Sequence, residues 1–92
     1  MLIRGIAQTA ALEENPPGSD TIEMVLRVQG VGPGQPRRLV IPMELLIEDP
    51  SLDPENVAGH GFQAEVVEDE PGRWVVREIA FADSRVLRRP EG

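Results

Sequence analysis

His60 stands between two glycines, Gly59 and Gly61, and is the only histidine. An imidazole can act as a general base or a metal ligand. Metal sites usually take three or four ligands, and the chain has no Cys and no second His. Nucleophilic catalysis would need a Ser or Thr beside the base. His60 therefore reads as a residue leading into a strand from a Gly-rich turn. Asp49, Ser51, Asp53 and Glu55 alternate in DPSLDPE, like the opening of a calcium loop. Pro54 occupies the position where that loop needs Gly, and His60 the twelfth position, where it needs Glu. Two capped turns are the better reading. The run GVGPGQP (30–36) has the glycines of a phosphate loop, but no Lys-Ser/Thr follows it. The next residues, Arg37 to Ile41, read as a strand rather than a helix. Glu68, Asp69 and Glu70 could divide acid and base roles only in a cleft that separates their pKa values. At a hairpin tip they read as solubility and gatekeeping charges, and they are the candidate acidic surface for a protein partner with a basic patch. No set of nucleophile, base and stabiliser emerges, so the chain is read as non-catalytic, with no cofactor and no metal.

One further set concerns binding. Arg4, Arg27, Arg73, Trp74 and Arg77 form a candidate binding face, because Arg and a stacking aromatic are what a single nucleic-acid strand requires. In an undistorted strand Trp74 and Arg77 point to opposite faces. Arg77 then groups with Arg73, Val75, Ile79 and Phe81, and Trp74 with Val76, Glu78 and Ala80. That places Trp74 in the core and leaves the arginines to pair with Glu23, Glu65 or Glu78.

What must position these residues is one small domain. Ninety-two residues bury a modest core. The net charge is −7, which disfavours non-specific contact with nucleic acid or anionic membranes. No run could span a bilayer and none reads as a signal peptide, so a cytoplasmic protein without membrane contact is expected. All nine basic residues are Arg, a preference that coding bias in a GC-rich genome explains more simply than anion recognition does. The segment Glu48–Gly72 carries eight acids and no Arg, whereas Arg73–Gly92 carries five Arg against three acids. This asymmetry suggests a partner surface or contacts between subunits.

Five strands are predicted. Leu2 to Ala10 is apolar on both faces, with Gly5 marking a bend. A loop, Glu13 to Asp20, precedes Thr21 to Gln29, where period-2 alternation gives one buried and one mostly polar face. Arg37 to Ile41 follows. One short helix is expected between strands three and four, begun by Pro42 and followed by a second start signal at Asp53-Pro54-Glu55. Phe62 to Val67 and Arg73 to Phe81 flank a five-residue hairpin loop, Glu68 to Gly72, with Pro71-Gly72 suited to a type II turn. The order β-β-β-α-β-β predicts a mainly β chain: a small five-stranded antiparallel OB-like barrel over residues 1–83, with 84–92 a flexible C-terminal tail. An SH3-like barrel, or an open sheet packed by one helix, is the alternative.

The strands LIRGIAQ, TIEMVLRVQG and RRLVIP, the passage GHGFQAEVVE and the strand RWVVREIAF together resemble the OB-fold domains of bacterial single-stranded DNA-binding proteins and the related small primosomal replication protein. The likeness covers residues 1–82. It implies an OB barrel, often dimeric or tetrameric, with a groove for single strands. The family's stacking aromatics and basic groove residues have no counterpart at matching positions, and this chain is acidic, so the resemblance implies the fold and not the binding residues. The expected function is a binding or assembly module engaging a protein partner or itself. Single-stranded nucleic acid is the alternative ligand.

Overall fold

Strand β1 (Leu2–Glu14) serves two neighbours. Its first part, Leu2 to Ile6, pairs with β4 (Gly61–Glu70), and its second, Ile6 to Glu14, pairs with β2 (Ile22–Gln29). The remaining elements are β3 (Arg38–Ile41), α1 (Met43–Glu48), α2 (Pro54–Val57) and β5 (Arg73–Phe81). The computed structural model describes residues 1–81. The tail expected at 84–92 and the last two residues of the expected domain lie outside the described residues. Five strands close into a ring in the order β1-β2-β3-β5-β4.

Closing so small a ring requires β1 to bend between its two partners. A bulge between Ala7 and Thr9 supplies part of the bend. Gly5 supplies the close approach: a Cβ there would lie 2.6 Å from the Gln29 carbonyl oxygen and 3.0 Å from the Val31 side chain. Gly5→Ala is therefore expected to destabilise the fold by about 2 kcal/mol, because backbone must move to admit the methyl group. Urea denaturation measures this, and an unchanged midpoint would contradict the packing described.

Ile3 and Ala7 of β1, wholly buried, settle which face of that strand meets the core; Leu2 and Ile6 stay exposed. Met24 and Leu26 of β2, Leu39 and Ile41 of β3, and Val66 and Val76 of the final hairpin complete its centre. Each such side chain stabilises the fold by about 1.5–3 kcal/mol through removal from water. Phe62 and Phe81 face each other across β4 and β5 and are buried.

Several expectations need correction. The sheet is not wholly antiparallel: β3 and β5 pair in parallel through Val40 and Val75. A parallel pair needs a crossover, and the helical segment with β4 provides it. Two short helices, not one, occupy that crossover. Pro50 stops the first, and Asp53 caps the second by accepting from the Glu55 and Asn56 backbone amides. Ile47 of α1 points outward, 70% exposed, while Leu45 and Leu46 pack toward the core. Glu13 and Glu14 belong to β1, opposite Glu23 and Ile22, because a wet strand end tolerates acids. The last hairpin is tighter than a five-residue loop. The strands reach Glu70 and Arg73, leaving only Pro71 and Gly72 to turn, with Gly72 at φ +82°.

The parity of β5 also differs from an undistorted strand. Glu65 pairs with Glu78 but Val66 pairs with Val76, so Arg77 is an extra, bulged residue. Trp74 and Val76 before the bulge, and Ile79 and Phe81 after it, consequently all pack on the core.

Candidate functional site

The five residues of the expected binding face divide between two sides of the ring. Arg4 lies on β1 and its Nε donates to Gln63 Oε1 at 2.8 Å. Arg77, at the β5 bulge, lines a groove of ≈ 680 Å³ with Gln63, Leu45, Glu48 and Glu78 among its walls. These two belong to the β1–β4–β5 side. Arg27 lies on β2 opposite Arg38 of β3, and Arg73 begins β5 on the same side. Trp74 is half-buried and packs against the core.

Arg73 is already engaged. Its two terminal nitrogens donate to both carboxylate oxygens of Glu23, and its Nε donates to Asp69 Oδ2 at 3.2 Å. Glu23 is 7% exposed, a buried acid on the strand face read above as wet, and it also accepts from Asn15 Nδ2 at 3.0 Å. A two-pronged guanidinium–carboxylate pair of this kind holds both strands in register. The bonds from Arg73, against the opposing effect of burial, hold the Glu23 carboxyl below its ordinary pKa, helped by Asn15 and by the charges of Arg73 and Arg38. The native state thus binds this proton less readily than the unfolded chain. Its stabilising contribution is complete above the ordinary carboxylate range and disappears as pH falls through the lowered value. Acid should therefore lower the denaturation midpoint of the native protein more steeply than that of Glu23→Gln, which has no carboxylate here to titrate. Parallel acid limbs would contradict this assignment.

Two of the three residues of the acidic tip have structural duties. Glu68 accepts the Gly72 amide at 2.9 Å and closes the turn, and Asp69 holds Arg73. Glu70 is exposed opposite Arg73. Asp49 and Asp53 bond to their own turns, at Ser51 and at Glu55 and Asn56 respectively. His60 is half-buried, and its backbone carbonyl accepts from Ala7 at 3.0 Å. Among the described residues no group of three or more His, Asp or Glu could hold a metal ion, and no helix is long and apolar enough to cross a membrane.

The structure assembles a cluster that the sequence reading had divided. Arg27 and Arg38 are directly opposed across β2 and β3, and Arg37 precedes Arg38. The Arg37 carbonyl accepts from the Val28 amide at 2.9 Å, which fixes the β2–β3 hairpin. Arg27 and Arg37 line a cleft of ≈ 360 Å³ with Gln8, Gln29, Gly30 and Val31. Among the described residues no ion pair or hydrogen bond holds the side chains of Arg27, Arg37 or Arg38. Like charges directly opposite in a ladder are destabilising, and Arg27 faces Arg38 in this way in a chain of net charge −7. The signal for Arg37 and Arg38 was their adjacency at a strand start; only the register reveals that Arg27 faces them.

Beside these arginines runs an apolar row across all five strands, from Ala11 through Val25, Val40 and Val75 to Val67. Alternation turns these residues away from the core cluster, yet Val25 is 8% and Val40 1% exposed. Exposed acids also border the sheet, Glu13 opposite Glu23 and Glu68–Glu70 at the β4–β5 tip. No family model, curated protein or solved structure matches the chain.

Proposed function

We propose that this chain is a non-catalytic OB-like binding module that holds single-stranded nucleic acid at the Arg27–Arg37–Arg38 end of its β2–β3 face. The strand order β1-β2-β3-β5-β4, with a helical crossover between β3 and β4, supports an OB-like barrel over an SH3-like one. In that architecture the strand 2–3 face is where oligonucleotides lie. The observation that carries the reading is that Arg27 stands opposite Arg38 across the β2–β3 ladder and shares a cleft with Arg37, Gln8 and Gln29, in a chain of net charge −7. Arg matches phosphate oxygens two at a time and remains charged at every working pH. The test is a mobility shift at low salt with a single-stranded oligonucleotide and its duplex. A shift with the single strand that salt abolishes is expected. Absence of any shift with the single strand at low salt would sink the reading.

A second reading, a protein partner or a second copy of the chain, is favoured by a different observation. The ≈ 680 Å³ groove combines Leu2, Leu45 and Ile79 with the acids Glu48, Glu65 and Glu78 and with Arg77. Light scattering across a concentration series tests self-association. A mass that stays that of a monomer would leave only the separate partner. Either role is consistent with a cytoplasmic location, which cell fractionation measures.

A further inference from the structure

We propose that the Arg27–Arg37–Arg38 site reads phosphates alone, so that a bound strand keeps its bases in solvent and is held without regard to sequence. This inference rests on the single-strand reading above and specifies how the ligand is recognised there.

OB-type binding of single strands ordinarily combines a cationic track with aromatic rings on which bases stack. The track is present here and the platform is missing. The three aromatic residues of the chain are all described. Phe62 and Phe81 are buried in the core, and Trp74 packs against it from β5. The apolar surface next to the arginines offers no substitute, because Val25 and Val40 expose almost nothing for a base to cover.

What the site does expose is polar. Arg27, Arg37, Gln8 and Gln29 line the cleft, and Arg38 stands opposite Arg27. Guanidinium groups donate to phosphate oxygens and carry no preference among bases unless they reach base edges. The site is also short. Beyond Val25 and Val40 the same face reaches Glu23, whose partner Arg73 is fully engaged, and then Glu13, the exposed acid paired opposite it. A phosphodiester chain would be repelled there. The path therefore covers about three phosphates, one per arginine, and leaves the hairpin loops that usually grip the strand in OB-folds unused.

The experiment uses the full chain and fluorescently labelled oligo-dT, oligo-dA and an abasic oligomer of equal length, followed by anisotropy between 50 and 200 mM salt. The three probes should bind with equal affinity, whereas stacking of even one base would separate them by about five-fold or more. Each affinity should fall about 20-fold over that range, the response of a single strand that loses three phosphate contacts. Emission from Trp74 should not change on binding. Preference for oligo-dT or oligo-dA over the abasic chain, or quenching of Trp74, would overturn the phosphate-only inference while leaving the single-strand reading intact. Failure of all three probes to bind at 50 mM salt would overturn both.

Discussion

Arg73→Ala should lower the unfolding free energy by about 3 kcal/mol, the largest stability loss of any single charged residue described here. The reason is what remains after the change. Glu23 is 7% exposed and would be left with Asn15 as its one polar partner. A buried carboxylate without its counter-charge must protonate or pull in water. The substitution also frees Asp69, whose bond to Arg73 braces the last hairpin. Because Glu23 sits on β2 and Arg73 on β5, the pair ties two strands that β3 separates in the ring. Arg77→Ala is the control: this exposed arginine has no ion pair among the described residues, and surface changes of that kind shift stability by about 0.5 kcal/mol or less. Chemical denaturation of both variants measures the contrast. Equal losses would mean that the Glu23–Arg73 pair does not hold the ring together.

The second large effect concerns binding. Arg27→Ser combined with Arg38→Ser should abolish single-strand binding and at the same time raise stability by about 0.5 kcal/mol. The two arginines oppose each other across the β2–β3 ladder, where like charges repel. Removing both relieves that repulsion and removes two of three phosphate contacts. A more stable protein that no longer binds is the signature of residues kept for function rather than for the fold. Lost binding with a collapsed denaturation midpoint would instead mean that these arginines support the hairpin.

Much of the fold was legible because period-2 alternation in Ile22 to Gln29 and the chemistry of Pro71-Gly72 are local signals. The element order followed from them. What sequence could not give was set by contacts distant along the chain. Arg77 became a bulge because the register of β4 against β5 shifts by one residue, and no local feature of RWVVREIAF announces that. Trp74 and Ile79 consequently share the core although their spacing predicts opposite faces. Glu23 looked like a solvated strand residue, and its burial depends on an arginine fifty positions later. The binding face suffered the same way. Arg4 and Arg77 are near Gln63 on one side, Arg73 is engaged by Glu23, and only Arg27 of the expected set stands opposite another arginine, Arg38. Its companions Arg37 and Arg38 had been read as an ordinary strand start, since pairing register, not composition, brings them together.

The most direct test of the central claim is a two-dimensional NMR titration of the labelled protein with oligo-dT at low salt. The amides of Gln8, Arg27, Gln29, Arg37 and Arg38 should shift together and saturate together, while those of Glu68 to Arg73 and of the Glu48–Glu78 groove stay in place. Shifts confined to the groove or to the hairpin tip, or no shifts anywhere, would contradict the assignment of the β2–β3 arginine cluster as the binding site.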